Sequence, residues 1–387
     1  MNKPLASHRV LALLQGTELL GKERGNLEAL FALQNQGASI MVGVSGRVPG
    51  GGSVGEEARR RGFKTHEFPM GSHLAKEWML KDRGYRNRQL KRLVTNSRQL
   101  NALIRTWKPT HIHIAAHTTY VFFALALLWN RTPLIFRCGD APPAESAFQM
   151  FFWNWMVRRS SRIVAISHFI KRKISETIPS ATKRTLVIHN VAPTRRGQPS
   201  SIEIERLKNT KRPFQLVFVG QIHPMKGVPE LIQALVDLDD SHIGCWIVGG
   251  SQHTLHIEKS LKAIVAKSHS KTSIEWLGFR SDPRPFYIAA DWHIAPSKYE
   301  EPLGNVVQEA QSVGTPSIVS PNGGLPETIE DGKSGLILDS VSPEAIQACI
   351  QRAIQLNQNE FQKAAEQHGA FTNNQQLFEE SWQSALD

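Results

Sequence analysis

The chain has 387 residues, 41% of them hydrophobic and 21% charged, with a formal net charge of +12. That length accommodates two domains of ordinary size, and that composition excludes a disordered or fibrous chain. Its three cysteines, Cys138, Cys245 and Cys349, lie far apart with no C-x-x-C or metal-ligand spacing, which predicts reduced thiols in a cytoplasmic protein.

The run Arg9 to Leu14 predicts a first strand. It is too short for a secretory leader, and Gln15, Gly16 and Glu18 end its apolar character. A polar loop, Gln15 to Gly25, precedes a helix expected from Asn26 to Gly37, and a strand comes next at Ser39 to Val44. Strand, helix, strand is the opening of a parallel sheet. Gly50 to Gly55 contains a literal G-x-G-x-x-G. It comes after the second strand and no acidic residue stands at the expected distance, so it predicts a flexible loop and not a dinucleotide fingerprint.

After a strand at Phe63 to Phe68 the charge turns one-sided. Nine lysines and arginines stand between Lys81 and Lys108 against Asp82 alone. Such a block forms a solvated helix face or an attraction to anionic lipid, nucleic acid or acidic substrate. A strand at His111 to Ala115 then ends in Ala116-His117. Val121 to Trp129, the longest apolar run, is half a membrane crossing and predicts a buried helix. Pro133 to Phe136 predicts a strand with Arg137-Cys138-Gly139-Asp140 at its carboxyl end. An aromatic helix, Phe148 to Arg159, and strands at Arg162 to Ile166 and Thr185 to Ile188 complete the half.

Ala192 to Pro213 is polar, with Pro193, Gly197 and Pro199, and predicts the boundary. The domains are read as 1–195, completed by a last helix within 373–387, and 205–372. The second series has strands at Gln215 to Val219, Cys245 to Val248, Ser273 to Leu277, Trp292 to Ala295 and Ser317 to Ser320. Predicted helices lie at Leu231 to Leu238, Ile257 to Ala266 and Pro285 to Ala290. The architecture is therefore α/β, two doubly wound Rossmann-like domains facing across a cleft, with ligands expected at the carboxyl ends of strands.

Those strand ends carry Gly220-Gln221 with Lys226-Gly227, Gly249-Gly250, Gly278-Phe279-Arg280, and Pro296-Ser297 through Glu301-Pro302-Leu303-Gly304 to Glu309. Gly314-Thr315-Pro316 and Asn322-Gly323-Gly324 come after them. Singly each has an ordinary explanation: a surface lysine, a turn, a solvated glutamate. In this order, from about Phe214 to Leu338, they resemble the carboxyl-terminal domain of GT-B fold glycosyltransferases of family 4, whose E-x7-E motif would be Glu301 and Glu309. The amino half is similar more loosely, through Gly25-Asn26, the strand ending at His117, and Val187 to Val191.

The resemblance implies a retaining glycosyltransferase with a UDP- or GDP-linked sugar donor. It assigns Glu309 to the ribose hydroxyls, Lys226 and the amides at Gly304, Asn305 and Val306 to the diphosphate, and Gly278, Phe279 and Arg280 to the base. Glu301 and His117 would contact the donor sugar, so Glu301, His117 and Lys226 form the implied catalytic set. Gly25, Asn26 and Asp140 are acceptor-side candidates. No cofactor and no metal are expected, and no nucleic-acid partner. The family usually has an arginine where this chain has Gln221, which can bond a phosphate but brings no charge. Either Lys226 and another cation such as Arg280 suffice, or donor affinity is reduced. The acceptor is expected to be a glycan or a lipid-linked intermediate of cell-surface polysaccharide synthesis, with peripheral contact of 81–108 with the anionic inner face of the plasma membrane. The alternatives are a GT-B nucleotide-sugar epimerase, a synthase using sugar phosphates, and a non-catalytic binding protein.

Overall fold

The computed structural model of the chain describes residues 5–71, 83–144, 146–192, 197–250 and 255–386. Lys81, Asp82 and Pro193, and the side chains of Arg83 and Arg86, lie outside the described residues. Contacts divide the chain into two compact units, Met1–Asn190 with Gln375–Asp387, and Val191–Asn374.

The first unit is built on β1 (Arg9–Leu13), β2 (Ser39–Ser45), β3 (Lys64–Phe68), β4 (His111–Ile114), β5 (Leu134–Cys138), β6 (Arg162–Ala165) and β7 (Thr185–Val187). All pairings are parallel, in the order β3-β2-β1-β4-β5-β6-β7, so the order in which the chain adds strands reverses between β1 and β4 while the strands themselves stay parallel. Parallel strands covered on both faces need continuous apolar runs. Val10 to Leu14 is such a run, and every residue in it is buried. Between the strands lie α1 (Gly21–Asn35), α2 (Gly52–Arg60), α3 (Arg83–Trp107), α4 (His117–Phe122), α5 (Ala124–Trp129), α6 (Ala147–Arg159) and α7 (His168–Thr177).

The second unit begins with α8 (Ser201–Thr210) and continues with β8 (Phe214–Val219), α9 (Val228–Leu238), β9 (Ile243–Val248), α10 (Leu255–Ser268), β10 (Ser273–Gly278) and α11 (Arg284–Ala289). It is completed by β11 (Trp292–Ala295), α12 (Asn305–Gln311), β12 (Ser317–Val319), β13 (Gly335–Ile337), α13 (Pro343–Gln355) and α14 (Gln358–Thr372). Its parallel sheet has the order β10-β9-β8-β11-β12-β13, again with the reversal beside the first strand of the unit. The last helix, α15 (Gln375–Gln383), packs on α1: Asn35 Nδ2 donates to Glu379 Oε1 at 2.8 Å and Gln36 Nε2 to the Glu379 carbonyl at 2.5 Å.

Several sequence expectations are corrected. Helix α1 starts at Gly21, not Asn26, so Gly25 and Asn26 lie inside it. Gly25 is tolerated there because the Arg137 guanidinium occupies the space of a Cβ, 2.6 Å from where one would stand. The run Val121 to Trp129 is not one buried helix. It breaks at Phe123, and Leu125, Leu128 and Trp129 are exposed. The Gly50 to Gly55 loop is short: a 3-10 turn passes directly into α2 at Gly52. The polar boundary segment contains α8, which buries only Leu207 and so has almost no apolar signature. Its sequence signal is a capping box, Ser200 with Glu203 three residues on; the Ser200 hydroxyl accepts from the Glu203 amide at 3.2 Å.

Candidate active site

In the second unit the carboxyl ends of β8, β9 and β10 converge through glycine backbone. The Gly220 amide donates to the Val248 carbonyl at 3.0 Å, Gly249 to Gly278 at 2.9 Å and Ile222 to Gly250 at 3.1 Å. A Cβ on Gly249 would stand 1.7 Å from the Gly220 carbonyl oxygen, so this approach requires glycine. Phe279 leaves the end of β10 beside Gly250 and is 75% exposed, an unusual state for so large an apolar ring. Arg280 lies over the Phe286 ring, 5.8 Å from its centroid. Gln221, which follows Gly220 at the end of β8, is exposed.

Lys226 is positioned by backbone. Gly227 after it has φ of +71°, and a Cβ there would stand 1.8 Å from the Pro296 carbonyl oxygen. The Lys298 amide donates to the Met225 carbonyl at 2.9 Å. The lysine turn is thus docked on the segment leaving β11, although the two lie some seventy residues apart in the chain. Lys226 Nζ donates to Glu301 Oε1 at 2.8 Å and to the Tyr299 hydroxyl at 3.0 Å. The Ser297 hydroxyl donates to the same Glu301 oxygen. Burial pulls the lysine pKa down, but Glu301 and Tyr299 outweigh it and hold the ammonium above its ordinary range. Glu301 itself is buried.

The backbone of Glu301 is clasped from the other side. Asn322 Nδ2 donates to the Ser297 carbonyl at 2.9 Å, and the Gly324 amide to the Glu301 carbonyl at 2.6 Å. A Cβ on Gly323, where φ is +70°, would meet the Glu301 carbonyl oxygen at 2.3 Å. This explains why two glycines stand beyond β12. Gly304 caps α12 in the left-handed conformation, and the amides of Asn305 and Val306 stand in the first turn of that helix. Val307 and Ala310 are buried beneath, which leaves Glu309 on the half-exposed side. Arg284, held above its ordinary range first by hydrogen bonds to Asp282, also feels the Glu309 charge.

In the first unit the expected residues gather around one that the sequence motifs do not single out. Arg137 is buried in β5 and donates to Asn26 Oδ1 at 2.8 Å and to Asn190 Oδ1. Burial pushes its guanidinium down to about 10 against the pull of Glu23, Asp140 and Cys138. Asp140 pairs with Lys22 at 2.5 Å. Burial raises the Asp140 carboxyl, but Lys22, then His117 and Arg137, bring it below its ordinary value. His117 is the first residue of α4. Gly25, Asn26, His117 and Asp140 thus share one locality, and Lys22, Glu23, Arg137 and Asn190 belong to it. The available signal is the arginine inside the strand Leu-Ile-Phe-Arg-Cys, since a charge in a covered parallel strand needs a reason. Tyr299 and Ser297 escape sequence reasoning likewise, because the motif that contains them gives neither a role of its own.

A cavity of about 690 Å³ in the second unit is lined by Lys208, Lys211, Asp291, Thr315 and Lys363 among others. It opens where β8, β11 and β12 begin, the opposite end of the sheet from Lys226. Among the described residues no three of His, Cys, Asp and Glu form a metal-binding group.

Residues 200–369 match the family model described as Glycosyl transferases group 1, and residues 54–196 match the model described as Glycosyltransferase Family 4. The chain belongs to glycosyltransferase family 4. The two models cover most of the two units, and the architecture is the GT-B fold of this family. Anabaena HepE, in a crystal structure with UDP-glucose, superposes with a TM-score of 0.77 over 98% of this chain and 99% of its own, at 18% identity. Spore coat protein SA of Bacillus subtilis is 28% identical over 193 residues, 46% of this chain and 51% of its own length. The alpha-maltose-1-phosphate synthase of Mycolicibacterium smegmatis is 26% identical over 283 residues, 67% of this chain and 72% of its own. The chain thus spans about half the length of the first of these curated relatives.

Proposed function

We propose that this family 4 chain transfers a glycosyl group, with retention of anomeric configuration, from a UDP- or GDP-linked sugar to a glycan or lipid-linked acceptor of cell-surface polysaccharide synthesis. The observation that carries the reading is the Lys226–Glu301 pair, fixed at the carboxyl ends of the strands just before α12. Breaking the bond between the sugar and its diphosphate develops negative charge on the leaving oxygens. A preformed ammonium and the amides of Asn305 and Val306 stabilise that charge without reorganising, so the reading calls on no metal. Glu309 accepts the ribose hydroxyls and Phe279 offers its exposed face to the base. Gln221 supplies a neutral hydrogen bond to the diphosphate, leaving Lys226 as its main cation. In the first unit, His117 and Asp140 bind sugar and acceptor hydroxyls, and α3 makes peripheral contact with anionic membrane from the cytoplasmic side. HepE, whose structure holds UDP-glucose, supports the donor class.

A second reading, a synthase that uses a sugar phosphate as acceptor, is favoured by the similarity to alpha-maltose-1-phosphate synthase. The test is a thermal-shift panel of UDP-, GDP- and ADP-sugars on the wild type and Lys226→Ala, and then product analysis with and without sugar phosphates. A ligand that binds the native state raises its melting temperature by mass action. One nucleotide sugar is expected to stabilise the wild type and to lose that effect in Lys226→Ala. No stabilisation by any of them rejects the donor reading.

A further inference from the structure

We propose that the exposed face of α5, together with the basic helix α3 beside it, is a membrane-insertion surface that selects bilayers rich in anionic phospholipid. The proposal deepens the peripheral contact suggested for α3 above by assigning the apolar half of the contact, and it does not depend on the donor chemistry.

Helix α5 divides into two faces. Ala124, Ala126 and Leu127 are buried, whereas Leu125, Leu128 and Trp129 are exposed. Their spacing of three and four residues places them on one side of the helix. Trp129 is 84% exposed, the most of any large apolar side chain among the described residues. Arg131, two residues on, is also exposed. The corner is held rigid: the Arg159 guanidinium, at the end of α6, donates to the carbonyls of Asn130 and Thr132. Trp129 is therefore presented outward by a fixed corner of the fold.

The adjoining surface says what would cover it. Helix α3 packs on α5. Its exposed positions include Leu90 and Val94 alongside Lys91, Arg98 and Arg105. From Arg83 to Gly139 the chain has ten lysines and arginines and no aspartate or glutamate. A second copy would bring like charges together, which disfavours a self-interface. Nucleic acid would match the charge but not the three exposed leucines, Leu90, Leu125 and Leu128. An anionic bilayer matches both, since its headgroups neutralise lysine and arginine while tryptophan and leucine enter the boundary of the acyl chains.

The full chain is sedimented with phosphatidylcholine vesicles and with mixed phosphatidylglycerol–phosphatidylcholine vesicles. Binding is expected to the mixed vesicles only, and to weaken as salt rises. Trp129→Ser with Leu128→Ser should lower it by about tenfold at constant salt, and Arg98→Glu with Arg105→Glu by at least that much, a removed cation being worth about fivefold. Brominated acyl chains should quench wild-type fluorescence more than that of Trp129→Phe. Equal binding to both vesicle types, or unchanged binding after the Trp129 and Leu128 substitutions, overturns the proposal. So does a Trp129-dependent dimer, or a Trp129-dependent complex with RNA, in a chain that ignores vesicles. Nucleotide-sugar thermal shifts are measured on the same samples. Losing those while vesicle binding persists strikes only the donor reading, and the converse strikes only this surface.

Discussion

Lys226 and Glu301 illustrate a residue whose role depends on its partner. The glutamate is buried and receives Lys226, the Ser297 hydroxyl and a glycine loop. Removing the lysine leaves a carboxylate without its cation in a site from which water is largely excluded. Lys226→Ala should therefore cost roughly 2 kcal/mol, a fall of several degrees in melting temperature in addition to the loss of donor binding. The pair also sets an alkaline limit. The folded-state pKa of Lys226 lies above the ordinary 10.5. Its contribution is thus complete below 10.5 and is lost as pH rises through the higher folded value. Melting temperature measured between pH 9 and 12 should fall more steeply for the wild type than for Lys226→Met. Parallel curves would separate the pair from stability.

At the scale of elements, α14 crosses α12 so closely that a Cβ on Gly369 would stand 2.1 Å from the Gln311 carbonyl oxygen. Helix propensity alone predicts that Gly369→Ala stabilises by about 1 kcal/mol. The contact predicts the opposite sign, a loss of roughly 2 kcal/mol or more as the two helices are forced apart. Urea denaturation of the variant decides between them, and a stabilised variant would refute the packing argument. The same contrast explains which elements are legible in the sequence. The strand Trp292–Ala295 has the bounds its residues predict: Trp292, Ile294 and Ala295 are apolar and buried around His293, and Pro296 follows the last strand residue. Helix α8 reads as linker because it buries one side chain, and α13 and α14 go unrecognised. Val121 to Trp129 misleads in the other direction. Apolar composition implies burial, yet the outward positions stay exposed.

For the whole molecule, each unit carries, among the described residues, one fully buried histidine on a strand next to its first: His113 on β4 and His293 on β11. Burial pushes both down to about 3, helped for His113 by the charge of Arg137. The unfolded chain takes up a proton near 6.5, which the folded chain refuses until about pH 3. Stability is therefore full above 6.5 and declines as pH falls, by up to roughly 1.4 kcal/mol per pH unit for each group. Urea midpoints at pH 7, 5.5 and 4.5 should drop in both units, and His293→Asn should flatten the slope of the second alone. A flat profile in the wild type would refute this. No described helix is long and apolar enough to cross a membrane.

The sequence by itself determined the alternation of strands and helices, the two-part organisation and the order of the motifs, because backbone geometry turns those into local patterns of apolar residues and glycine. It also determined the family, since the strand ends carry their residues in a fixed order. Tertiary structure alone decided the partners. Lys226 meets Glu301 across 75 positions, and Arg137 joins Asn26 to Asn190 across 111 and 53. Contacts at such separations arise only when a sheet places successive strand ends side by side, and no local pattern encodes which charge will face which.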